Sequence, residues 1–209
     1  MAYIGYEPAA KPLTSADITD SIITSAKIVD GTIVNADINA SAAIASTKLS
    51  GVGKVLQVVS TNKTDTFASS SIANTFVDVT GLSVSITPSS ASNKILILAT
   101  INHGVDGIRA TALKLLRDST AINIGTASGS RTVASTVAIG QNYDSNRGQV
   151  SSINFLDSPS TTSAITYKIQ VGILESTGNV ARINTSGADG DFSYIGRSAS
   201  TITVMEIAA

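Results

Sequence analysis

A branched apolar residue recurs at every fifth position near the N-terminus, and a small residue such as Ala16 or Gly31 stands two positions before each one. A period of five fits neither the 3.6 residues of a helical turn nor the two-residue alternation of a strand. The segment is therefore predicted to wind as a coil of short extended rungs with tight corners. Each unit buries too little apolar surface to fold alone, so neighbouring rungs or neighbouring chains must cover the rest. The repeated residues are Ile18, Ile23, Ile28, Ile33 and Ile38, followed after a one-residue slip by Ile44 and Leu49.

Two arrangements would bury these repeated residues. In the first, a single chain winds into a four-sided β-helix, but the available repeats would complete fewer than two of its turns. In the second, three chains place their isoleucines around a shared axis, which covers the side chains without further repeats. The three-chain coil is the preferred prediction, so the protein is expected to be a homotrimer with these residues at its core.

The pattern divides the chain into four parts. Residues 1–13 are predicted to form a docking tip, 14–50 the pentad coil, 51–53 a glycine hinge and 54–209 a folded domain that we call the knob. In the tip, proline removes backbone donors and fixes an extended path, which favours docking on a larger body. A frayed terminus is the alternative. The predicted anchoring residues are Tyr3, Ile4, Tyr6 and Pro8.

Alternation of apolar and polar residues takes over from Lys54 onward and predicts a knob of short β-strands. Lys94–Ala99 is apolar on both faces and is expected to be a buried central strand. Thr111–Arg117 has helical propensity but is predicted to be a strand, because a turn at Asp118–Thr120 and the alternating Ala121–Ile124 complete a hairpin. These patterns predict a mainly β fold, an antiparallel β-sandwich of the jelly-roll type. The remaining predicted strands are Val55–Val59, Thr75–Val79, Leu82–Thr87, Thr132–Ile139, Gln149–Leu156, Ala164–Ile173, Phe192–Gly196 and Thr201–Ile207.

Composition narrows the possible partners. Hydrophobic residues make up 43% of the chain, charged residues only 14%, and the net charge is −1, which fits a folded protein with a core. The basic residues form no stripe that could neutralise several phosphates, so nucleic acid is not an expected partner. The chain has no cysteine and therefore no disulfide framework or thiolate ligands. The sequence shows neither a leader pattern nor an apolar run long enough for a membrane span, which predicts synthesis in a cytoplasm and no membrane insertion.

The N-terminal repeats, including Leu13–Ile18 and Ile33–Ile44, resemble those of fibre proteins from tailed phages, especially marine and cyanobacterial ones. In the knob, Thr75–Leu82 and the closing Thr201–Ile207 are similar to the β-sandwich domains that end such fibres. This resemblance implies a homotrimeric component of the virion. Its N-terminus would be fixed to a tail adaptor, a nozzle protein or the capsid, and its knob would contact the host. Because the coil is short, a head fibre or a capsid decoration protein is an open alternative.

Candidate catalytic groups are few. Polysaccharide hydrolysis needs two carboxylates at a fixed separation, and Asp189 with Asp191 fits a solvated turn or a weak calcium loop better. His103 is the only histidine and lacks the partners of a usual zinc site. The expectation is therefore a protein with no catalytic residues, no metal and no cofactor. A polysaccharide depolymerase is the enzymatic alternative, and a DNA mimic is disfavoured by the near-neutral charge.

Two loops of the knob carry residue types suited to binding sugar hydroxyls. Residues 141–147 combine an aromatic ring, amides and a guanidinium, and residues 187–194 offer a second loop of similar character. Ordinary solvated loops are the alternative interpretation. The expected partner is a host surface glycan or an outer-membrane component. The candidate contact residues are Tyr143, Asp144, Asn146, Arg147, Asp189 and Asp191.

Overall fold

The computed structural model describes residues 14, 17–18, 21–39, 42, 54–70, 73–105, 110–139, 146–174 and 179–209. Its contacts divide the chain into two compact units, Met1–Gly51 and Val52–Ala209. The predicted tip at 1–13 and hinge at 51–53 lie outside the described residues, as do Ile44 and Leu49.

In the first unit, hydrogen-bonded backbone turns recur with the five-residue period of the sequence. In each turn, a backbone N–H donates to the carbonyl oxygen three residues earlier. Two of the turns are single turns of 3-10 helix, Ser25–Lys27 and Asn35–Asp37, and the flanking residues Thr24 and Ile28 have extended backbone angles. No β-strand occurs among the described residues of this unit, so the predicted extended rungs are only the short connections between turns. The hydrogen-bonded turns are Thr14 to Asp17, Thr24 to Lys27, Val29 to Thr32, Val34 to Asp37 and Asn39 to Ala42.

In the turns that begin at Thr24, Val29 and Val34, the small residue that precedes the isoleucine by two positions is the third residue of the turn. In the Val29 to Thr32 turn that residue is Gly31, whose φ of +81° lies in the left-handed region. Ser21 occupies the equivalent position and has a φ of +67°. Bulky side chains are strained at such angles, whereas glycine and small polar residues tolerate them. Backbone angles therefore explain why Ser21 and Gly31 are small.

The second unit is a β-sandwich of two antiparallel sheets, which confirms the mainly β prediction. In the described residues the strands are β1 (Val55–Lys63), β2 (Phe67–Ser69), β3 (Phe76–Ile86), β4 (Lys94–Val105), β5 (Ala110–Arg117), β6 (Thr120–Ile122), β7 (Thr136–Ile139), β8 (Gln149–Asp157), β9 (Ile165–Ile173), β10 (Ala181–Ile183) and β11 (Ser200–Ile207). One sheet runs β8-β4-β11-β1, with β10 also beside β4 and β2 beside β10, and the other runs β3-β9-β5 with β6 and β7 beside β5.

The pairing order of the long strands follows that of one long hairpin folded into two layers. β1 pairs with β11, β3 with β9, β4 with β8, and β5 with β7. This pairing of the first long strand with the last, and of each following strand with the one before the last, is the jelly-roll order. The C-terminal end of β4 and the loops beside β10 lie at one end of the sandwich. Alternate side chains of the two sheets meet in a single apolar core that includes Ile97, Ile169 and Ile202, all fully buried.

Several strand predictions need correction. The segments Thr75–Val79 and Leu82–Thr87 belong to one strand, β3, whose register shifts between Asp78 and Ser83. Gly81, at a φ of +81°, provides the backbone bend there. Phe192–Gly196 is a turn and no strand. The three-residue strands β2 and β10 were not anticipated, because they are too short to show alternation.

β4 is central, as predicted, but only one of its faces is buried. Ile95 and Ile97 point into the core, whereas Leu98 on the opposite face is 36% exposed. The hairpin of β5 and β6 has its turn at residues 118 and 119, which confirms a strand over Thr111–Arg117. Within the described ranges, no helix is long and apolar enough to cross a membrane.

The solvent side of the β8-β4-β11-β1 sheet is unusually poor in charge. Its central positions follow from the register of the three strand pairs, and they form three rows of four residues. Every one of the twelve is apolar, a hydroxyl residue or an amide. We call these residues the outer face: Val58, Met205, Leu96 and Leu156 in the first row, Ser60, Thr203, Leu98 and Asn154 in the second, and Asn62, Thr201, Thr100 and Ser152 in the third.

Candidate functional site

The predicted coil residues are exposed in the single chain. The side chains that the structure describes are 37–54% exposed. Ile22, Val29 and Val34 are 44–76% exposed as well, so a large apolar surface accompanies the repeated turns. An ordered segment with this much exposed apolar surface is typical of a protein-protein interface. The described isoleucines are Ile18, Ile23, Ile28, Ile33 and Ile38.

Carboxylates reinforce two of these turns. Asp17 Oδ2 accepts the backbone N–H of Thr14 at 2.8 Å and its hydroxyl at 2.6 Å. Asp37 Oδ2 accepts the backbone N–H of Val34 at 2.9 Å. The hydrogen bonds from the Thr14 side chain and backbone hold the pKa of Asp17 below its ordinary value. The fourth residue of these turns thus fixes the turn and leaves the next residue, an isoleucine, outside it.

A second candidate site is a cavity of about 280 Å³ at the end of the sandwich where β4 ends. Asn146 and Gly148 before β8 and residues of the segment between β10 and β11 form its walls. Hydroxyls, amides and one guanidinium dominate the lining, and no aspartate or glutamate occurs among the described lining residues. These are Asn102, His103, Asn146, Gly148, Gln149, Val150, Thr185, Ser186, Tyr194, Gly196, Arg197 and Ser198.

The close approach of two backbones places Ser186 in this cavity. A Cβ on Gly104 would lie 2.6 Å from the carbonyl carbon of Ser186 and 2.6 Å from the amide nitrogen of Gly187. Real side chains do not tolerate such distances, so the segment after β10 can cross β4 only over a glycine. Ser186 is 4% exposed, and its Oγ has no hydrogen-bond partner among the described residues. An unsatisfied buried hydroxyl costs about 1–3 kcal/mol, so a ligand group that reached this atom would recover part of that cost.

The floor of the cavity is neutral. His103 is 2% exposed. Its Nε2 shares a hydrogen bond of 2.9 Å with Ser151 Oγ, and its Nδ1 shares one of 2.8 Å with Thr111 Oγ1. Burial lowers the pKa of His103 from 6.5 to about 4, because the interior disfavours the charged imidazolium. The imidazole is therefore uncharged at neutral pH, and both of its nitrogens have partners.

The segment from Asp189 to Arg197 forms the rim. Asp189 Oδ1 accepts hydrogen bonds from Thr185 Oγ1 at 2.9 Å and lies 2.8 Å from Arg197 Nη1, while Arg182 Nη1 lies 3.9 Å from its other oxygen. Phe192 and Tyr194 stack with ring centroids 5.2 Å apart and an interplanar angle of 6°.

The rim thus combines exposed aromatic faces with a guanidinium that is already paired. Phe192 is 55% exposed and Tyr194 66%. An aromatic ring offers a flat apolar surface to a ligand, and tyrosine adds a hydroxyl for hydrogen bonding.

The structure brings parts of both predicted loops to this cavity. Asn146 lines it, and Asp189 holds Arg197 at its rim. Arg147 and Asp191 are exposed and do not line it, whereas Tyr143 and Asp144 lie outside the described residues, as do the predicted anchors Tyr3, Ile4, Tyr6 and Pro8.

Ser186 and Arg197 were missed by the sequence interpretation. The pair Gly104 and Gly187 was the available signal, but only the fold shows that the two glycines are neighbours. In the described ranges, no group of three or more acidic or histidine side chains could hold a metal ion.

No protein-family model and no curated protein sequence matches this chain. Among solved structures, it is similar to a chain of infectious bursal disease virus, Gx strain, with 12% identity, a TM-score of 0.35, and coverage of 72% of this chain and 40% of that one. A chain of the Gt strain has 10% identity and a TM-score of 0.36, and the match covers 72% of this chain and 40% of that one. A chain of the T13 particle of that virus has 10% identity and a TM-score of 0.38, and the match covers 74% of this chain and 38% of that one. The present chain spans about two fifths of those chains, and a likeness this low transfers no function.

Proposed function

We propose that this protein is a homotrimeric structural fibre of a virus particle. The N-terminal unit joins three copies, residues 1–13 attach to a tail adaptor, a nozzle protein or the capsid, and the sandwich contacts the host cell surface. The observation that carries the proposal is the set of five exposed isoleucines, each next to a turn that repeats every five residues.

The exposed isoleucines favour association with identical chains. Fully burying an isoleucine side chain contributes about 1.5–3 kcal/mol, and each of these is between 37% and 54% exposed in the isolated chain. Identical chains in register would place identical small and apolar residues at each level around one axis, which satisfies the symmetry of a closed oligomer. A different partner would need a matching five-residue period of its own.

The outer face of the knob supports the same assembly. Val58 is 55% exposed and Leu156 48%, and they flank Met205 and Leu96 in a continuous apolar row across four strands. Since the twelve positions carry no charge, two copies can approach without burying unpaired ions. A second copy is therefore the occupant that we assign to this face.

The size of the outer face fits a shared interface. Four strands about 4.8 Å apart, and three rows about 7 Å apart, give roughly 400 Å². A stable interface needs about 800 Å² from each partner. The outer face supplies about half of that area, and the isoleucines of the first unit supply apolar surface for the remainder.

Adsorption through the knob is proposed as binding without cleavage. Asp189 pairs with Arg197 at 2.8 Å and lies 3.9 Å from Arg182, and the described lining of the cavity lacks the two carboxylates that polysaccharide hydrolysis needs. Three knobs on one fibre would strengthen a weak contact through multivalency. A capsid decoration protein with the same fold is the second candidate, which the short N-terminal unit favours.

The test is the oligomeric state of the full chain measured by light scattering after size exclusion. The wild type is expected to be a trimer, and the double variant Ile28→Asp, Ile33→Asp a folded monomer. Ile124→Asp is the matched control, because Ile124 is 41% exposed in the knob and outside the outer face. A monomeric wild type, or a double variant that remains trimeric, would overturn the proposal. Imaging of the particle distinguishes a tail position from a capsid position.

A further inference from the structure

We propose that the cavity between Asn146, Ser186 and Tyr194 binds one neutral pyranose ring of a host glycan. This inference rests on the proposed host-contact function and names the ligand class and the site. It is independent of trimer formation, because every residue of the cavity comes from one knob.

The size of the cavity selects a small ligand. Its volume of about 280 Å³ lies just below the range of roughly 300–1,000 Å³ found for small-molecule pockets. One monosaccharide ring with its hydroxyls fits that volume, whereas a longer oligosaccharide would extend beyond the rim.

Several hydroxyl and amide side chains line the cavity. Ser186 Oγ is buried without a described partner, so a ligand hydroxyl that reaches it would supply the missing hydrogen bond. The amides of Asn102, Asn146 and Gln149 also line the cavity. Asn102 Nδ2 already donates to the carbonyl oxygen of Ala199 at 2.5 Å, and an amide oxygen can accept a hydrogen bond from a sugar hydroxyl.

The rim provides the apolar contact that complements these polar groups. Tyr194 lines the cavity and is stacked on Phe192, so the two rings offer a flat apolar surface. One face of a pyranose carries mainly C–H groups, and an aromatic ring binds such a face by dispersion and exclusion of water.

Charge favours a neutral sugar over an acidic one. The one charged group among the described lining residues is Arg197, and its guanidinium already pairs with Asp189 at 2.8 Å. The floor offers no compensating cation, because both nitrogens of His103 are hydrogen-bonded to uncharged hydroxyls. A carboxylate on the ligand would compete with Asp189 for that guanidinium, whereas a neutral ring would not.

The experiment measures binding of methyl glycosides of glucose, galactose and mannose, and of glucuronic acid, to the full chain by titration and ligand-observed NMR. At least one neutral glycoside is expected to bind with one site per chain. Ser186→Ala should weaken that binding about fivefold or more, the range for losing a buried hydrogen bond, and Tyr194→Ala should weaken it further. Ser152→Ala, on the outer face, is the matched control and should bind like the wild type.

Thermal unfolding distinguishes a lost ligand contact from a damaged fold. Because Ser186 Oγ has no described partner, Ser186→Ala should leave the melting temperature unchanged or raise it. No binding by any neutral glycoside, tighter binding of the glucuronide, or binding that both variants leave unchanged would overturn the assignment. The monomeric variant Ile28→Asp, Ile33→Asp should bind the monosaccharide like the wild type, so a failed trimer and a failed sugar site give different results.

Discussion

Two hydrogen bonds join Asp37 and Val34, and Asp37 is the donor in one and the acceptor in the other. The backbone N–H of Asp37 donates to the carbonyl oxygen of Val34 at 2.9 Å, and the Asp37 carboxylate accepts the backbone N–H of Val34 at 2.9 Å. Thr14 and Asp17 repeat the arrangement, with the threonine hydroxyl as an additional donor. A reciprocal pair of this kind satisfies both ends of a turn, in the manner of a helix capping box.

We predict that Asp37→Asn loosens its turn and speeds hydrogen exchange at the Val34 amide. The carboxylate is a stronger acceptor than the amide oxygen that would replace it. The expected increase is roughly 2- to 30-fold, the range covered by the loss of a helix N-cap. Asp30→Asn is the control, because Asp30 is exposed and lies in the adjacent turn from Val29 to Thr32. Equal exchange in the two variants would show that the Asp37 side chain does not hold the turn.

We predict that charge on the outer face weakens the trimer. Leu156→Lys would place a lysine in the apolar row beside Leu96, where a second copy would have to bury it. The dissociation of the trimer should shift to at least tenfold higher protein concentration, measured by analytical ultracentrifugation. Val137→Lys is the control, since Val137 is 47% exposed on the other sheet and Leu156 is 48% exposed. If Leu156→Lys associates like the control, the outer face faces solvent in the assembly.

The sequence was sufficient to predict the class of fold and the positions of most strands. Alternation identified the long strands, and the turn at residues 118 and 119 correctly separated a β5-β6 hairpin from a helix over Thr111–Arg117. It failed at Phe192–Gly196, where apolar and polar residues also alternate. There the aromatic rings stack on each other outside the sheets, so the same pattern arises from a turn.

The candidate site was predictable only in part. The polar loops that carry Asn146 and Asp189 stood out by composition. Their meeting in one cavity depends on the crossing over Gly104, a contact between residues far apart in the chain. Likewise, the five-residue period predicted regular corners, but not that Ala26, Gly31 and Ala36 are each the third residue of a turn. That position is a property of backbone angles, which periodicity does not specify.

We predict that Gly104→Ala disrupts the cavity while Gly125→Ala is tolerated. A methyl group at 104 would meet backbone atoms at 2.6 Å, whereas at 125 the nearest atom in the described structure is the carbonyl oxygen of Ala134 at 4.0 Å. The Gly104 variant should lose roughly 1–3 kcal/mol of unfolding free energy, as overpacked sites do. Chemical denaturation measures the loss. An unchanged stability of Gly104→Ala would mean that the segment from Thr185 to Gly187 moves away without cost.

We predict that acid destabilises the knob in two adjoining pH ranges. In the first range, the loss of stability comes from protonation of His103. Its pKa is lowered by burial from 6.5 to about 4, so the unfolded chain takes up a proton at higher pH than the folded one. Stability is therefore full above pH 6.5 and falls by about 3 kcal/mol as the pH drops to 4. Because the chain has one histidine, His103→Asn should make this range nearly flat, although the variant starts from lower stability.

In the second pH range, the loss of stability comes from protonation of Glu206, which has no exposed surface. Burial alone raises its pKa, but hydrogen bonds from Asn93, Gln57 and Ser89 outweigh burial and lower the pKa from 4.5 to about 2. Glu206 therefore stabilises the fold above pH 4.5, and this contribution is lost as the pH falls to 2. Denaturant titrations at pH 7, 5.5, 4 and 3 should show Glu206→Gln less stable than the wild type at pH 7 and less sensitive to acid below pH 4.5. Parallel curves for wild type and Glu206→Gln below pH 4.5 would show that the carboxylate is not held in its charged form.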